Sequence, residues 1–532
     1  MSQQLSRRIS PITLFMLSLN GIIGSGWLFA PMYAAKIAGP AAIFSWIIAG
    51  LAVILIAFTF AELSTMLPVA GGTAHIPQLS HGAFASFILG WIAWITTLLM
   101  APIEVQAVLQ YASLYFTSLM HEAHGSMVMD AWGYAWAGIL MFTLCLINIL
   151  SYRGLMRFNF VIFVFKFSII LLTIFAIAGT QFHASNFNGA WSSLGTSAGL
   201  QAIFSAIATG GIVMAFNGFK SGVELAGETK NLKLAIPLST AGSVIASLLI
   251  YLGLQACFIG ALDSSAIQQG WQSLNFTGDA GPFIGLAAGI GLFWLLKLLY
   301  VNSVVSPLGA GLIYVTSTAR ILYAMSRIGY VPKIFSRLNG QRFPVWAIGA
   351  NFVLGMLSFL PLPGWQAMVN FMVSAMVITY AMGPIALLCL RKTLPEKERP
   401  FRLPAANFIC ALAFYCCNLF SYWTGWETIS KLAITLLVGL ACFLAAYLRG
   451  SVKIQKHELL SALWIIPYLS GLVIISYLGS FGGHHILPFG WDFVVIAAFS
   501  LGIIQLAVFS RTALNVDDVT AMLKAEAVVD IS

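Results

Sequence analysis

Residues 11–34, PITLFMLSLNGIIGSGWLFAPMYA, decide the fold. The segment is long and apolar enough to cross a membrane as a helix, which takes about 20 residues. The sequence GIIGSG at 21–26 lies near its middle, although glycine and serine destabilise a helix interior. Either small residues allow close packing against a neighbouring helix, or the segment is unwound and its free backbone groups face a polar cavity, because lipid does not tolerate them.

The composition of the whole chain indicates a membrane protein. Of the 532 residues, 60% are hydrophobic and 8% are charged. Soluble globular proteins have about 45–50% apolar and about 25% charged residues, so this chain has too little charge to cover a water-exposed surface. We therefore expect an all-α polytopic membrane protein. Soluble enzymes, secreted disulfide scaffolds and nucleic-acid-binding proteins are excluded.

Fourteen apolar segments are predicted to span the membrane. They are spans 1 to 14, at 11–34, 41–66, 84–116, 132–150, 158–179, 200–219, 236–260, 290–318, 344–361, 366–390, 405–425, 431–448, 459–480 and 488–510. Of the 26 Lys and Arg residues, 21 lie in alternate connecting segments, and only Lys36 and Lys431 lie in the segments between them. Because positive charge gathers on the cytoplasmic side, this alternation predicts that both termini are cytoplasmic in a cell (inner or plasma) membrane.

Span 6 carries a second interruption. Phe216-Asn217-Gly218-Phe219 places an Asn-Gly pair, which favours turns, inside an apolar run. Spans 1 and 6 correspond if spans 1–5 and spans 6–10 are two repeats, and an odd number of spans makes the second repeat inverted. Paired interruptions in inverted repeats point to a secondary transporter with a binding site near the bilayer midplane.

Several motifs in matching order make the chain similar to the amino acid-polyamine-organocation (APC) superfamily of permeases over roughly residues 10–405. They are Gly24-Ser25-Gly26, Ala61-Glu62-Leu63 with Pro68 and Gly71-Gly72, the span 6 interruption, Glu228-Thr229-Lys230-Asn231 leading to Ile236-Pro237, and Arg320-Ile-Leu-Tyr-Ala-Met with Gly329 and Pro332. The resemblance implies a leucine-transporter-like 5+5 inverted repeat with discontinuous helices 1 and 6, plus four additional C-terminal transmembrane helices. The implied divisions are a cytoplasmic N-terminus (1–10), a transport core (11–391, with repeats at 11–179 and 200–391), spans 11–14 (405–510) and a cytoplasmic tail (511–532).

The resemblance also implies a substrate site at the two interruptions. Backbone N–H groups of Ser25 and Gly26 would bind a substrate carboxylate, because the half-helix that follows points its positive dipole end at the anion. Carbonyl groups near Ile23 would bind the ammonium group. The other implied site residues are Gly24, Ala101, Phe216, Asn217, Gly218, Phe219 and Tyr314. For each aromatic residue, core packing or lipid exposure remains an alternative.

Two ionisable residues inside spans are candidates for proton coupling. Lys166 lies near the middle of span 5, where a charge is expensive and cannot easily reach the interface, which favours a functional role. The resemblance implies that its ammonium group replaces the ion of sodium-coupled relatives. Glu104 follows Pro102 in span 3, about one turn beyond Ala101. It could carry a proton, pair with a lysine or contact the substrate amine; the alternative is a position at the rim of an extracellular vestibule.

Lys220 departs from the family pattern, in which an acidic residue is frequent just after the span 6 interruption. Its cation could pair with a substrate side-chain carboxylate, which favours acidic amino acids as substrates. The alternative is an ion pair with Glu224, four residues further on. Glu62 is expected to be a gating or structural residue at the inner mouth, and Lys297 is expected to extend to the outer face.

No metal or cofactor site is predicted. The sequence His121-Glu122-Ala123-His124 lacks the spacing of a zinc-protease helix and is expected in an external loop. The seven cysteines lie within apolar runs without the paired spacing of a metal site.

These patterns together predict a secondary transporter that imports amino acids by alternating access, coupled to protons, with acidic amino acids as the preferred substrates. The expected partners are an amino acid, protons and the lipid bilayer. An amino acid exchanger on the same core is the main alternative, and a non-transporting sensor or a channel is a remote one. A membrane-embedded enzyme is not expected, because no catalytic constellation shares one depth.

Overall fold

The computed structural model describes residues 9–68, 72–123, 126–150, 152–276, 281–339, 343–361, 364–448 and 456–512. Within these ranges the protein is a bundle of helices with one small β-hairpin. Several sequence predictions concern residues outside the described ranges: Arg7, Arg8, Gly71, His124, Arg342, Arg449, Lys453, Lys524 and most of both terminal segments.

Within the described residues, the first half of the chain contains seven helices. They are α1 (Pro11–Ile22), α2 (Gly26–Ala38), α3 (Ala42–Met66), α4 (Gly72–Ala112), α5 (Ala131–Leu150), α6 (Tyr152–Thr180) and α7 (Ala190–Ser193). Short 3₁₀ turns lie at Gly39–Ala41 and Ala184–Phe187. Strands β1 (Met120–Ala123) and β2 (Ser126–Met129) form an antiparallel hairpin in which Met120 lies opposite Met129. The sequence predicted only a loop here.

The second half of the chain begins with short helical pieces and continues with long helices. The helices are α8 (Ser197–Thr209), α9 (Ile212–Ala215), α10 (Lys220–Glu224), α11 (Leu232–Pro237), α12 (Ser243–Ala261), α13 (Ser264–Ile267), α14 (Pro282–Gly289), α15 (Phe293–Ile328), α16 (Val345–Ser358), α17 (Trp365–Thr393), α18 (Ala406–Trp423), α19 (Trp426–Leu448), α20 (Lys456–Ala462), α21 (Ile465–Leu478) and α22 (Trp491–Phe509). Tighter 3₁₀ turns lie at Asn217–Phe219, Ala226–Glu228, Trp271–Ser273 and Lys333–Ser336, and a wider π turn lies at Leu238–Gly242.

The protein is a multi-pass membrane protein. In the described part of the chain, eleven helical segments are long and apolar enough to cross a membrane, or twelve if the bent pair α8 and α9–α10 forms one span. The prediction of fourteen spans is higher than this count. The difference arises because α1 and α16 have only 12 and 14 residues, and because α2 and α3 form one continuous apolar stretch.

Helix α4 is kinked near its start. Gly82 has φ 80° and ψ −173°, which separates residues 72–81 from the rest of the helix. The short first part is tied to the end of α22, because the N–H of Thr512 donates a 3.0 Å hydrogen bond to the Ser80 carbonyl oxygen. A ring nitrogen of His81, Nε2, also lies 2.9 Å from the carbonyl oxygen of Ala507. The C-terminal helices therefore contact the segment that joins α3 to α4.

Glu62 forms an ionic cluster in the last part of α3. Its carboxylate is fully buried and accepts a 2.8 Å hydrogen bond from Arg391 Nε, at the end of α17. The backbone N–H of Leu403 donates to the same carboxylate at 2.6 Å, and Arg399 Nε lies 3.3 Å from it. Glu62 thus connects α3 to α17 and to the segment that leads into α18.

Candidate functional site

The first interruption is an unwound segment. Helix α1 ends at Ile22 and α2 begins at Gly26, so residues 23–25 leave helical geometry in the middle of the predicted span. Both explanations that the sequence left open are observed: the segment is unwound, and it also packs closely, since a Cβ at Gly26 would lie 2.9 Å from Ala215 Cβ. The carbonyl groups that end α1 and the N–H groups that begin α2 therefore need partners outside the helix.

Side chains from three other helices satisfy the carbonyl groups at the end of α1. Lys166 on α6 donates from Nζ to the carbonyl oxygens of Asn20, at 2.7 Å, and Ile23. The hydroxyl of Tyr314 on α15 donates to the Gly21 oxygen at 2.9 Å, and the hydroxyl of Tyr251 on α12 lies 3.1 Å from the Ile22 oxygen. Lys166 is completely buried, so its charge meets the negative end of α1 away from water.

A carboxylate occupies the opposite side of the interruption. The backbone N–H of Ser25 donates a 2.7 Å hydrogen bond to Glu104 Oε2 on α4. Glu104 is buried, which excludes the rim position left open by the sequence. A side chain at Gly24 would collide with this carboxylate, since its Cβ would lie 2.9 Å from Glu104 Cδ. Ala101, one turn earlier on α4, is also buried.

The sequence did not single out three side chains that complete this site. Trp365 Nε1 donates a 2.9 Å hydrogen bond to the hydroxyl oxygen of Ser25. The hydroxyl of Ser306 lies 3.2 Å from the Gly24 carbonyl oxygen and accepts a 3.1 Å hydrogen bond from Trp27 Nε1. Tyr251 is the third. Each of the three belongs to a residue type that is common in membrane helices. Its position in an apolar run therefore did not indicate a role in the site.

The second interruption begins earlier than predicted. The sequence placed it at Phe216–Phe219, but the chain already bends by 45° between α8 and α9. Gly211, in the bend, has φ 84°, a conformation that favours glycine. The predicted residues follow as a 3₁₀ turn, Asn217–Phe219, between α9 and α10. The sequence signal for this bend is the Gly210-Gly211 pair, which precedes the polar Asn-Gly pair by seven residues.

The two interruptions touch each other. A Cβ atom at Gly218 would collide with the backbone of Gly21 and Ile22, so only glycine permits this approach. The hydroxyl of Tyr251 lies 3.0 Å from the Ala215 carbonyl oxygen as well as near Ile22, and so joins the ends of α9 and α1. The irregular backbone segments of both halves therefore lie side by side within the core.

Phe216 and Phe219 are buried among other aromatic rings. Phe216 packs edge-on against Trp46 and Tyr251, with ring centroids 5.7 and 5.5 Å apart. Phe219 packs against Tyr380 at 5.2 Å. Lipid exposure, one alternative considered for these residues, is therefore excluded.

Lys220 is directed towards α17. Its Nζ donates a 2.6 Å hydrogen bond to Thr379 Oγ1 and lies 4.2 Å from the centroid of the Tyr380 ring. The Tyr380 hydroxyl in turn donates to Asn217 Oδ1 at 2.6 Å. A cation thus lies one residue beyond the second interruption, held by residues of α17.

The geometry suits recognition of a small zwitterion. At the first interruption, free N–H groups at the start of α2 attract anions, and carbonyl groups at the end of α1 attract cations. In the structure, Glu104 accepts a hydrogen bond from a backbone N–H group at the start of α2. Lys166 donates to a carbonyl oxygen at the end of α1. Both are ionisable side chains of the protein itself.

Comparisons with known proteins identify the family of this chain. The amino acid permease family model matches residues 9–443. The glutamate/serine transporter AimA of Bacillus subtilis is 36% identical over 504 residues, which cover 94% of this chain and 93% of the relative. The aspartate-proton symporter of the same organism is 33% identical, covering 93% and 95%. The branched-chain amino acid permease BcaP, also from Bacillus subtilis, is 26% identical, covering 85% and 96%.

The family match spans most of the chain, and two of these relatives exceed 30% identity over nearly their whole length. Transport and not enzymatic catalysis is the activity common to the family and these relatives. This multi-pass membrane protein belongs to the amino acid permease family of the APC superfamily.

Proposed function

We propose that this permease imports amino acids by alternating access together with protons, and that Glu104 is the group that couples the two. The observation that carries the proposal is the hydrogen bond from the Ser25 N–H to the Glu104 carboxylate. This N–H is where the family resemblance expects the carboxylate of the substrate. A carboxylate of the protein therefore occupies the site that the carboxylate of an amino acid needs.

Competition between the two carboxylates would couple transport to protons. Protonation of Glu104 removes its charge and weakens its hold on the Ser25 N–H, because hydrogen bonds to ionised acceptors are stronger than those to neutral ones. The substrate carboxylate can then bind at Ser25 and Gly26. When Glu104 loses its proton on the other side of the membrane, it displaces the substrate, so proton and amino acid move together.

Lys166 supports the same cycle as a fixed cation. Its ammonium group contacts the Asn20 and Ile23 carbonyl oxygens, the groups expected to bind a coupling ion or the substrate ammonium. We infer that Lys166 stabilises the unwound segment while the substrate exchanges with Glu104.

The substrate class follows from Lys220. A cation beside the second interruption would attract a second carboxylate on the substrate, which favours acidic amino acids. The names of two relatives, a glutamate/serine transporter and an aspartate-proton symporter, support this preference. Asn217, Gly218 and Tyr314 would form the remaining backbone and side-chain walls of the pocket, together with Ala101, Phe216 and Phe219.

We further propose the finer architecture that the resemblance implies. Residues 11–391 would form the 5+5 inverted-repeat core, and residues 405–510 would add spans 11–14, which gives fourteen spans. The contact between the two interruptions supports this arrangement. The alternation of Lys and Arg along the sequence supports cytoplasmic termini in the cell membrane.

Uptake by purified protein in proteoliposomes tests the proposed function. Labelled amino acids are screened with and without an imposed inward proton gradient. We expect accumulation of aspartate or glutamate that requires the gradient. An exchanger would instead take up labelled amino acid only when unlabelled amino acid is present inside the vesicles. Its uptake would not depend on the proton gradient.

A further inference from the structure

A narrow apolar cavity lies outside the substrate site. It has a volume of about 390 Å³ and lies between α19 and α21, with residues of α4, α17 and α18 at its back. Its walls are almost entirely aliphatic side chains and one phenylalanine, Phe84. The transport mechanism proposed above does not use it.

The cavity is about one lipid leaflet long. On α19 its lining runs from Ile429 to Leu440, which at 1.5 Å per residue is about 16 Å. On α21 it runs from Ile465 to Ile474, or about 14 Å. The hydrocarbon core of a bilayer is about 30 Å thick, so each leaflet contributes about half of that thickness.

The cavity suits a hydrocarbon chain as its occupant. Its lining is almost entirely apolar, and its length of about 16 Å along α19 matches the acyl region of one leaflet.

The cavity opens sideways towards the bilayer. Among its lining residues, Leu437 and Ile466 are 65% and 60% exposed, whereas Leu432 and Leu472 at its floor are buried. The exposed surface at this depth faces lipid, so hydrocarbon can enter without crossing water. If the cavity were empty, the side chains that line it would lack van der Waals contacts on one side, which favours an apolar occupant. Apolar cavities much smaller than this one are known to bind hydrocarbons.

One end of the cavity carries a polar group without a partner. Ser421 lines the cavity and is buried, and its Oγ has no hydrogen-bond partner among the residues that the structure describes. The other two lining serines, Ser374 and Ser470, donate to carbonyl oxygens of their own helices. Ser421 lies near the end of α18, and Ile429, at the same end of the cavity, lies in the first turn of α19.

We propose that this cavity binds one acyl chain of a diacyl phospholipid from the adjacent leaflet, with the Ser421 hydroxyl donating to the ester carbonyl of the lipid. The chain fills the space between α19 and α21 and contacts the transport core through Phe84 on α4 and Ile378 on α17. A lipid thus becomes part of the interface between the C-terminal helices and the core. This inference does not depend on the substrate or on proton coupling.

Photo-crosslinking to a lipid tests the inference. The full-length protein is reconstituted in bilayers that contain a phospholipid with a diazirine in its acyl chain, and labelled peptides are mapped by mass spectrometry. We expect labelling of the α19 and α21 cavity residues several-fold above that of exposed lipid-facing residues such as Phe175 and Phe509. Replacement of Ser421 by alanine should reduce the amount of phospholipid that copurifies with the protein.

Two neighbouring residues provide a matched pair of variants. Ala433 lines the cavity, whereas Ile434 is 63% exposed and does not line it. Ala433→Trp should lower cavity labelling several-fold, and Ile434→Trp should leave it unchanged; Leu436→Phe is a milder filling variant if Ala433→Trp does not fold. Equal labelling in Ala433→Trp or Leu436→Phe and wild type would overturn the proposal. Crosslinks from cavity residues to a second protein copy would also overturn it.

Discussion

Glu104 and Ser25 are 79 positions apart in the sequence, yet the Ser25 N–H donates a 2.7 Å hydrogen bond to the Glu104 carboxylate at the unwound segment between α1 and α2. The carboxylate lies against Gly24, where a Cβ would be 2.9 Å from Glu104 Cδ and would displace the carboxylate. Because the start of a helix attracts anions, this pair shows how a protein carboxylate can occupy a position suited to a substrate carboxylate.

Removal of the buried cation at the end of α1 should impair coupled transport. A hydrogen bond to a charged group contributes about 1.5–3 kcal/mol, so we expect Lys166→Ala to lower gradient-driven uptake by roughly tenfold or more. Sodium should not restore the wild-type pH dependence. Lys297→Ala, at an exposed lysine of α15, is the matched control and should retain uptake. Undiminished gradient-driven accumulation by Lys166→Ala would remove the residue from the mechanism.

The charge of Lys220 should determine the preference for acidic substrates. We expect Lys220→Gln to narrow the ratio of acidic to neutral amino acid uptake by roughly tenfold or more, because loss of one partner of a desolvated charge pair costs several kcal/mol. Competition of labelled aspartate or glutamate uptake by unlabelled neutral amino acids measures this ratio. The exposed Lys230→Gln should leave it unchanged. If the ratio is unaltered in Lys220→Gln, the role of Lys220 is limited to its structural contacts with Thr379 and Tyr380.

The contact between the two interruptions should not tolerate a side chain. A Cβ at Gly218 meets the backbone of Gly21 and Ile22, so Gly218→Ala should force the two segments apart. Overpacking of this kind costs about 1–3 kcal/mol, and we expect a lower Tm together with lost substrate binding. Gly502→Ala on α22 is the control, since its Cβ would have no neighbour within 4 Å. Normal substrate affinity in Gly218→Ala would show that the close approach is not needed.

The buried carboxylate of Glu62 should stabilise the protein far more than an exposed one. Removal of one partner of a buried ion pair costs roughly 3–5 kcal/mol, so Glu62→Gln should lower the Tm clearly by leaving Arg391 and Arg399 without their counter-charge. Glu427 pairs with Lys431 at 2.8 Å but is 84% exposed, and Glu427→Gln should change the Tm little. Similar Tm changes for both variants would contradict a structural role for the Glu62 cluster.

Features with a strong local signal could be predicted from the sequence. The three glycines and the serine at 21–26 indicated the first interruption, because glycine and serine destabilise a helix interior, although close helix packing was an alternative explanation. Lys166 was conspicuous for a similar reason, as a lone charge far from both ends of its span. The predicted helix positions also agree with the structure at most of the long apolar segments.

Other features depend on tertiary contacts and could not be recognised from the sequence pattern. The depth of Glu104 in the core follows from how α4 packs against the unwound segment, so the sequence could not separate the site from an outer rim. Trp365 and Ser306 resemble many other tryptophans and serines of membrane helices until the fold brings them to Ser25 and Gly24. At the second interruption, the polar Asn217 gave the stronger sequence signal, but the bend lies at Gly211, whose positive φ permits it.

The pH dependence of substrate affinity in Glu104→Gln tests the account most directly. Binding of the best substrate from the uptake screen is measured by calorimetry between about pH 5 and pH 10. In the wild type, protonation of Glu104 frees the Ser25 N–H, so affinity should rise as pH falls, by up to about tenfold per pH unit. In Glu104→Gln the group is always neutral, and affinity should be nearly independent of pH, whereas Glu122→Gln in the β-hairpin should behave as wild type. A wild-type pH dependence in Glu104→Gln would contradict the proposed coupling.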